Sequence, residues 1–171
     1  VAKYEALPKD IEWHFIGHLQ TNKIKYMASF VSLIHGVDSL KLLKEIDKQA
    51  AKAGRRIKCL LQIHIAQEET KFGFSPNECK EMLDQGERRE LKNIQLCGLM
   101  GMATNTDSTE QVRAEFSSLS SLFDELKSAF FAHDEAFCEL SMGMSDDYPE
   151  AIEAGSTLVR VGSKIFGERV Y

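Results

Sequence analysis

The sequence predicts an α/β fold in which six strands, separated by helices, form the larger part of a (β/α)8 TIM-type barrel. Three observations carry this. Apolar segments of strand length recur at 11–17, 31–37, 57–65, 95–102, 137–142 and 158–162. Patterns with helical spacing lie between them, which implies parallel pairing through right-handed crossovers. The strand segments are also nearly continuous in apolar residues, as burial on both faces requires. Two closures fit these observations, an open doubly wound sheet or a barrel. A barrel of this type needs eight strands, and the chain opens in mid-helix with Val1 in place of Met. The count is met if two strands precede Val1, so an incomplete barrel, with about six of its eight strands here, is the expectation.

Each element has its own signals. The first strand carries Trp13-His14-Phe15-Ile16-Gly17-His18, followed by Gln20 and Asn22. A strand period of two turns His14 away from Phe15, so His14 is expected to point into the barrel while Phe15 packs under a helix. A satisfied core histidine is the favoured reading over a catalytic base. Ser39 caps a helix with Leu40, Leu43, Ile46 and Ala50 on one face and Gly54 at its end. Ser75-Pro76-Asn77-Glu78 supplies an N-cap, a proline at the first helical position and a capping acid. The segment 108–131 places Val112, Phe116, Leu119, Leu122, Phe123 and Leu126 at helical spacing, and 146–154 reads as a short helix stopped by Gly155.

A chain of 171 residues with 43% hydrophobic content builds one sizeable core, so a single domain over 1–171 is expected. The formal charge of -5 argues against a nucleic-acid binder. Lys41, Lys44, Lys48 and Lys52 recur at helical spacing, but Glu45 and Asp47 interrupt them, which reads as a solvated helix face. Cys59, Cys79, Cys97 and Cys138 form no CxxC pair and have no histidine at ligand spacing, so neither zinc nor a disulfide framework is indicated. Cys59, Cys97 and Cys138 read as buried thiols of a reducing compartment, with the cytoplasm as the expected location. No apolar run is long enough to cross a bilayer, and 1–5 lacks the layout of a secretory signal. GxSxG, Walker, HExxH and post-strand GxGxxG motifs are all missing.

The chemistry gathers in the last forty residues. Leu140-Ser141-Met142-Gly143-Met144-Ser145-Asp146-Asp147 and Leu158-Val159-Arg160-Val161-Gly162-Ser163 each read as a strand ending in small residues where a helix or turn begins. Small side chains expose main-chain N–H groups there, which describes an anion site, and phosphate is the expected anion. Ser145 reads as an N-cap of the following helix or as a phosphate ligand, and the two uses can coexist. Arg160, inside a strand buried on both faces, must be paired. A ligand heteroatom and a core carboxylate such as Glu139 are both open as its partner. Lys71, in the loop 69–73, reads first as a surface lysine.

These residues resemble a known family. Trp13 to Lys23, Lys71-Phe72-Gly73, Gly98-Leu99-Met100, the SMGMSDD stretch at 141–147 and the RxGxxxFG stretch at 160–167 are similar, in order, to the YggS/PROSC proteins, the pyridoxal 5′-phosphate homeostasis family. The resemblance implies a barrel of the alanine racemase N-terminal domain type, binding pyridoxal 5′-phosphate at its mouth. It implies that Ser145, Gly162 and Ser163 hold the phosphate, that Ser141 and Met142 line the strand end, and that Arg160 faces the pyridine nitrogen. His14 joins this cofactor-binding set. The family's Schiff-base lysine lies on a first strand with no counterpart after Val1, so no catalytic residue is assigned; Lys71 and Lys164 are the fallback positions. The implied role is a carrier and regulator of the cofactor without robust catalysis, with pyridoxal-phosphate-dependent apo-enzymes as partners. The expected state is a monomer whose open barrel edge invites self-association. The alternatives are a racemase-type enzyme, whose second acid/base would come from a further β domain, and a phosphate binder that takes no pyridoxal. His64 departs from the family pattern, where a smaller polar residue such as Asn is expected.

Overall fold

The computed structural model describes residues 1–68 and 72–167. Six strands, β1 (Trp13–Phe15), β2 (Val31–Val37), β3 (Ile57–Gln62), β4 (Ile94–Met100), β5 (Glu139–Met144) and β6 (Leu158–Arg160), form one sheet in the order β1-β2-β3-β4-β5-β6. Every neighbouring pair is parallel. This order decides between the two closures. Sequential parallel strands joined by crossovers of one hand place all their helices on one face, whereas a doubly wound sheet reverses direction part-way. The sheet is a half-barrel with a concave inner face.

The helices are α1 (Ala2–Ala6), α2 (Leu40–Lys52), α3 (Pro76–Asp84), α4 (Thr109–Phe130), α5 (Tyr148–Glu153) and α6 (Ser163–Phe166); α2, α3 and α4 start at the serines the sequence signals, whereas α5 begins at Tyr148 and not at 146. Ser39 Oγ accepts from Leu42 N, Ser75 and Glu78 form a reciprocal capping box, and Ser108 Oγ accepts from Gln111 N. The lysine row on α2 is solvated as expected, with Lys44 paired to Glu87 and Lys48 3.7 Å from Glu45. Two short 3-10 helices, Thr21–Tyr26 and Glu87–Glu90, have no counterpart in the sequence reading.

Alternation along the strands sorts side chains into two layers. Ile34, Cys59, Leu61, Leu99, Leu140 and Met142 pack outward against helix residues such as Leu43, Ile46, Phe116 and Leu119. Leu33, Leu60, Cys97 and Met100 form a smaller apolar cluster of their own, with Leu158 against it. Cys59, Cys79 and Cys97 are buried, but Cys138 is exposed, because it precedes β5 and its thiol turns to the Ala136 carbonyl. Gly98 lets β4 and β5 close up. Its φ is +150°, and a Cβ there would lie 1.7 Å from the Glu139 carbonyl oxygen.

Candidate functional site

The site begins with Arg160. On β6 it is aligned with Met144 of β5, while Ser141 is aligned with Leu158. From there the guanidinium reaches inward: Nη1 donates to Ser141 Oγ at 2.7 Å and Nη2 to the Gly101 carbonyl at 3.1 Å. The carboxylate of Glu139 does not take part, since it accepts the Thr157 hydroxyl at 2.9 Å. Among the described residues Arg160 forms no salt bridge. Burial pushes its pKa down to about 10, and the charge of Asp147 pulls the other way. It is a half-buried cation with two of its five N–H donors used by protein.

Ser141 links this cation to two histidines. Its hydroxyl lies 2.9 Å from His35 Nδ1, and His35 Nε2 lies 3.1 Å from His14 Nδ1. His35 is fully buried, and burial, followed by the charges of His14 and Arg160, pushes its pKa down to about 3. It is therefore neutral at physiological pH. The network assigns the protons. Ser141 Oγ accepts from Arg160 and donates its hydrogen to His35 Nδ1, which leaves His35 with a proton on Nε2 to donate to His14 Nδ1. Four side chains thus run across the inner face, from β6 to the exposed His14 on the edge strand β1.

The second half of the site is the junction of the two strand tips. The Gly162 N–H donates to Ser145 Oγ at 3.2 Å. Gly143, with φ +94°, lets the chain turn over α5, where a Cβ would meet Ala151 Cβ at 2.5 Å. Ser145 is buried, while Gly162 and Ser163 are exposed. The expected capping role of Ser145 is corrected: Asp147 is the N-cap of α5, with no side-chain cap bond, and its Oδ1 instead accepts from Met144 N at 2.6 Å. The helices α5 and α6 run to six and four residues, so the N–H groups matter here more than any helix dipole. Arg160 precedes Gly162 by two residues, so Ser145, Arg160, Gly162 and Ser163 share one end of the β5–β6 pair, and Ser141, level with Leu158 further back on β5, joins them through the Arg160 guanidinium.

Met142 does not join them. Its side chain is fully buried in the outer core, because neighbouring residues on a strand face opposite ways. His14 faces inward as expected, but touches the group only through His35. Lys164 lies 4.8 Å over the Tyr148 ring. Lys71 lies outside the described residues. His64 Nε2 donates to the Glu68 carbonyl at 3.0 Å, bracing the loop after β3.

Sequence reasoning missed His35, Gly101 and Glu115. The signal for His35 was the one used for Arg160, a polar side chain within a strand apolar on both faces. Glu115 on α4 is buried and accepts from Thr104 N at 2.6 Å, Thr104 Oγ1 at 2.7 Å and Gln111 Nε2 at 3.0 Å. It fixes the loop that follows the Gly101 carbonyl. At the rim, His18 lies 3.3 Å from Asp38 and stacks on Phe72 at 4.1 Å.

Among the described residues no group of three or more His, Cys, Asp or Glu side chains could hold a metal ion, and no helix is long and apolar enough to cross a membrane. Comparison with known proteins identifies the family and the fold. Residues 5–170 match the family model described as alanine racemase, N-terminal domain. The chain is 44% identical over 170 residues to the pyridoxal phosphate homeostasis protein of Aquifex aeolicus, covering 99% of this chain and 72% of the relative. PipY of Synechococcus elongatus PCC7942, solved without PLP, superposes with a TM-score of 0.86 at 34% identity, covering 97% of this chain and 75% of PipY. An alanine racemase of Clostridium difficile, 15% identical with a TM-score of 0.64, covers 95% of this chain and 41% of its own and shares the fold. The chain belongs to the pyridoxal phosphate homeostasis protein family, built on the alanine racemase N-terminal domain.

Proposed function

We propose that the chain binds pyridoxal 5′-phosphate at the β5–β6 strand tips and serves the intracellular supply of that cofactor. In this reading it acts in the cytoplasm, hands the cofactor to apo-enzymes and catalyses no robust reaction of its own. The observation that carries the proposal is Arg160, a cation held inside the half-barrel with unused donors and no anionic partner among the described residues, beside the Ser145–Gly162 junction. That donor set fits a ligand with an anionic group at one end and a ring acceptor at the other. PipY, at 33% identity, has been solved with PLP bound, which favours pyridoxal phosphate over a phosphate ligand lacking the ring.

Pyridoxal 5′-phosphate supplies, when bound, a carbonyl that captures amines and a pyridine ring that can draw off electrons. The residues of this chain would temper the second property. The Ser145 hydroxyl and the main-chain N–H groups of Gly162 and Ser163 would hold the phosphate. Arg160, with a pKa of about 10, keeps its protons at neutral pH. It would donate a hydrogen bond to the ring nitrogen and give it no proton, which would leave the ring a weaker electron sink. That outcome suits storage and transfer better than racemisation.

Calorimetric titration with pyridoxal 5′-phosphate and with pyridoxal tests the reading. The phosphate ester should bind at least about tenfold tighter, and Ser145→Ala should remove most of that advantage, about 1–2 kcal/mol. Equal affinities for the two compounds would contradict it.

A further inference from the structure

The buried imidazole of His35 has no role in the binding scheme above, yet it occupies the centre of the inner face. It is fully buried, its two ring nitrogens are both engaged, and one of its partners, Ser141, is the hydroxyl that receives Arg160. We infer that His35 is a positioning residue for the cofactor ring: by taking the Ser141 hydrogen it turns the serine lone pairs to Arg160 and fixes which edge of the guanidinium faces the ring nitrogen. The inference rests on the pyridoxal phosphate reading and deepens it.

The physical argument concerns hydrogens. A serine hydroxyl has one donor and two acceptor sites and rotates to suit its neighbours. An arginine offers only donors, so Ser141 must present a lone pair to Nη1 and send its hydrogen elsewhere. His35 Nδ1, at 2.9 Å, is the acceptor that makes this orientation the stable one. A neutral imidazole is required, since a protonated one would have only donors to offer; burial, which depresses the pKa to about 3, maintains that state. His14 receives the remaining His35 N–H and fixes the tautomer. With Nη2 anchored on the Gly101 carbonyl at 3.1 Å, the guanidinium is held at two points and its remaining N–H groups have a fixed direction.

The test uses 4′-deoxypyridoxine 5′-phosphate, which keeps the ring, hydroxyl and phosphate but has no carbonyl. Its affinity and the absorption of its bound ring, which separates the protonated from the unprotonated nitrogen, are followed against pH. His35→Gln places its amide at the outer ring position, near His14 and away from Ser141; His35→Asn places it where Nδ1 sits and can accept from Ser141. His35→Gln should weaken binding about tenfold and let the bound ring keep its proton to higher pH, while His35→Asn should restore both towards wild type. Wild-type affinity and spectrum in both variants, or equal loss in both, would overturn the inference. Should the His35 variants fail to fold, Ser141→Ala reads the same link: a shifted ring spectrum is expected and an unchanged one overturns the inference. Failure of the wild-type chain to bind the probe would strike the pyridoxal phosphate reading itself, and this inference with it.

Discussion

At the scale of single residues, the decisive balance is between the desolvation of Arg160 and the donors it keeps for a ligand. Two neutral acceptors, the Ser141 hydroxyl and the Gly101 carbonyl, hold the guanidinium without neutralising it. Arg160→Ala should therefore weaken pyridoxal phosphate binding by about 2 kcal/mol, roughly thirtyfold in Kd, while wild-type affinity in the variant would remove the assigned role. His35 carries a separate prediction for stability. Its folded pKa of about 3 lies below the ordinary histidine value of 6.5. The unfolded chain binds a proton there first as pH falls, so the contribution of neutral His35 is fully present above pH 6.5 and is lost progressively towards pH 3. The unfolding free energy from urea titrations should fall across that window by an amount on the order of a few kcal/mol, and His35→Asn should flatten the dependence. Arg160 was legible in the sequence because an arginine within a buried strand demands a partner. His35 satisfied the same criterion in Val31-Ser32-Leu33-Ile34-His35, yet a histidine among apolar neighbours also reads as plain core.

Elements decide which of two adjacent residues meets the site. Ser141 faces inward and Met142 outward because β5 continues through Met144, with no break that would let both line a strand end. Period-two alternation would have separated them from sequence alone, since both lie within the strand expected at 137–142. Ser145 was ambiguous for another reason: its competitor as a cap, Asp147, is a near neighbour in the chain while its partner, Gly162, is 17 residues on, and only the pairing of β5 with β6 selects Gly162. The β4–β5 pairing gives a sharp test. Gly98→Ala adds a Cβ 1.7 Å from the Glu139 carbonyl at a φ of +150°, so the strands must separate. Thermal unfolding should show a loss of more than about 3 kcal/mol, and a near-neutral effect would contradict the close approach of the strands.

For the molecule as a whole, the alternation of strands and helices was legible because it is a repeating local pattern, and so was the expectation of an incomplete barrel. The short 3-10 turns were not, since four to six residues carry no period. Among the described residues β1 and β6 each have a neighbour on one side only, and parallel edges of this kind recruit other strands. Sedimentation velocity should show concentration-dependent association of this chain, with a single monomeric species up to about 100 µM contradicting the role of the edges. Curvature of the sheet brings His14, His35, Ser141 and Arg160 into one line across the inner face, and the proposed function depends on where that line ends. The most direct test of this is the ring-nitrogen 15N chemical shift of labelled pyridoxal 5′-phosphate bound to the protein. The account predicts an unprotonated nitrogen that accepts a hydrogen bond, changed by Arg160→Ala; a pyridinium signal, or one indifferent to that substitution, would contradict it.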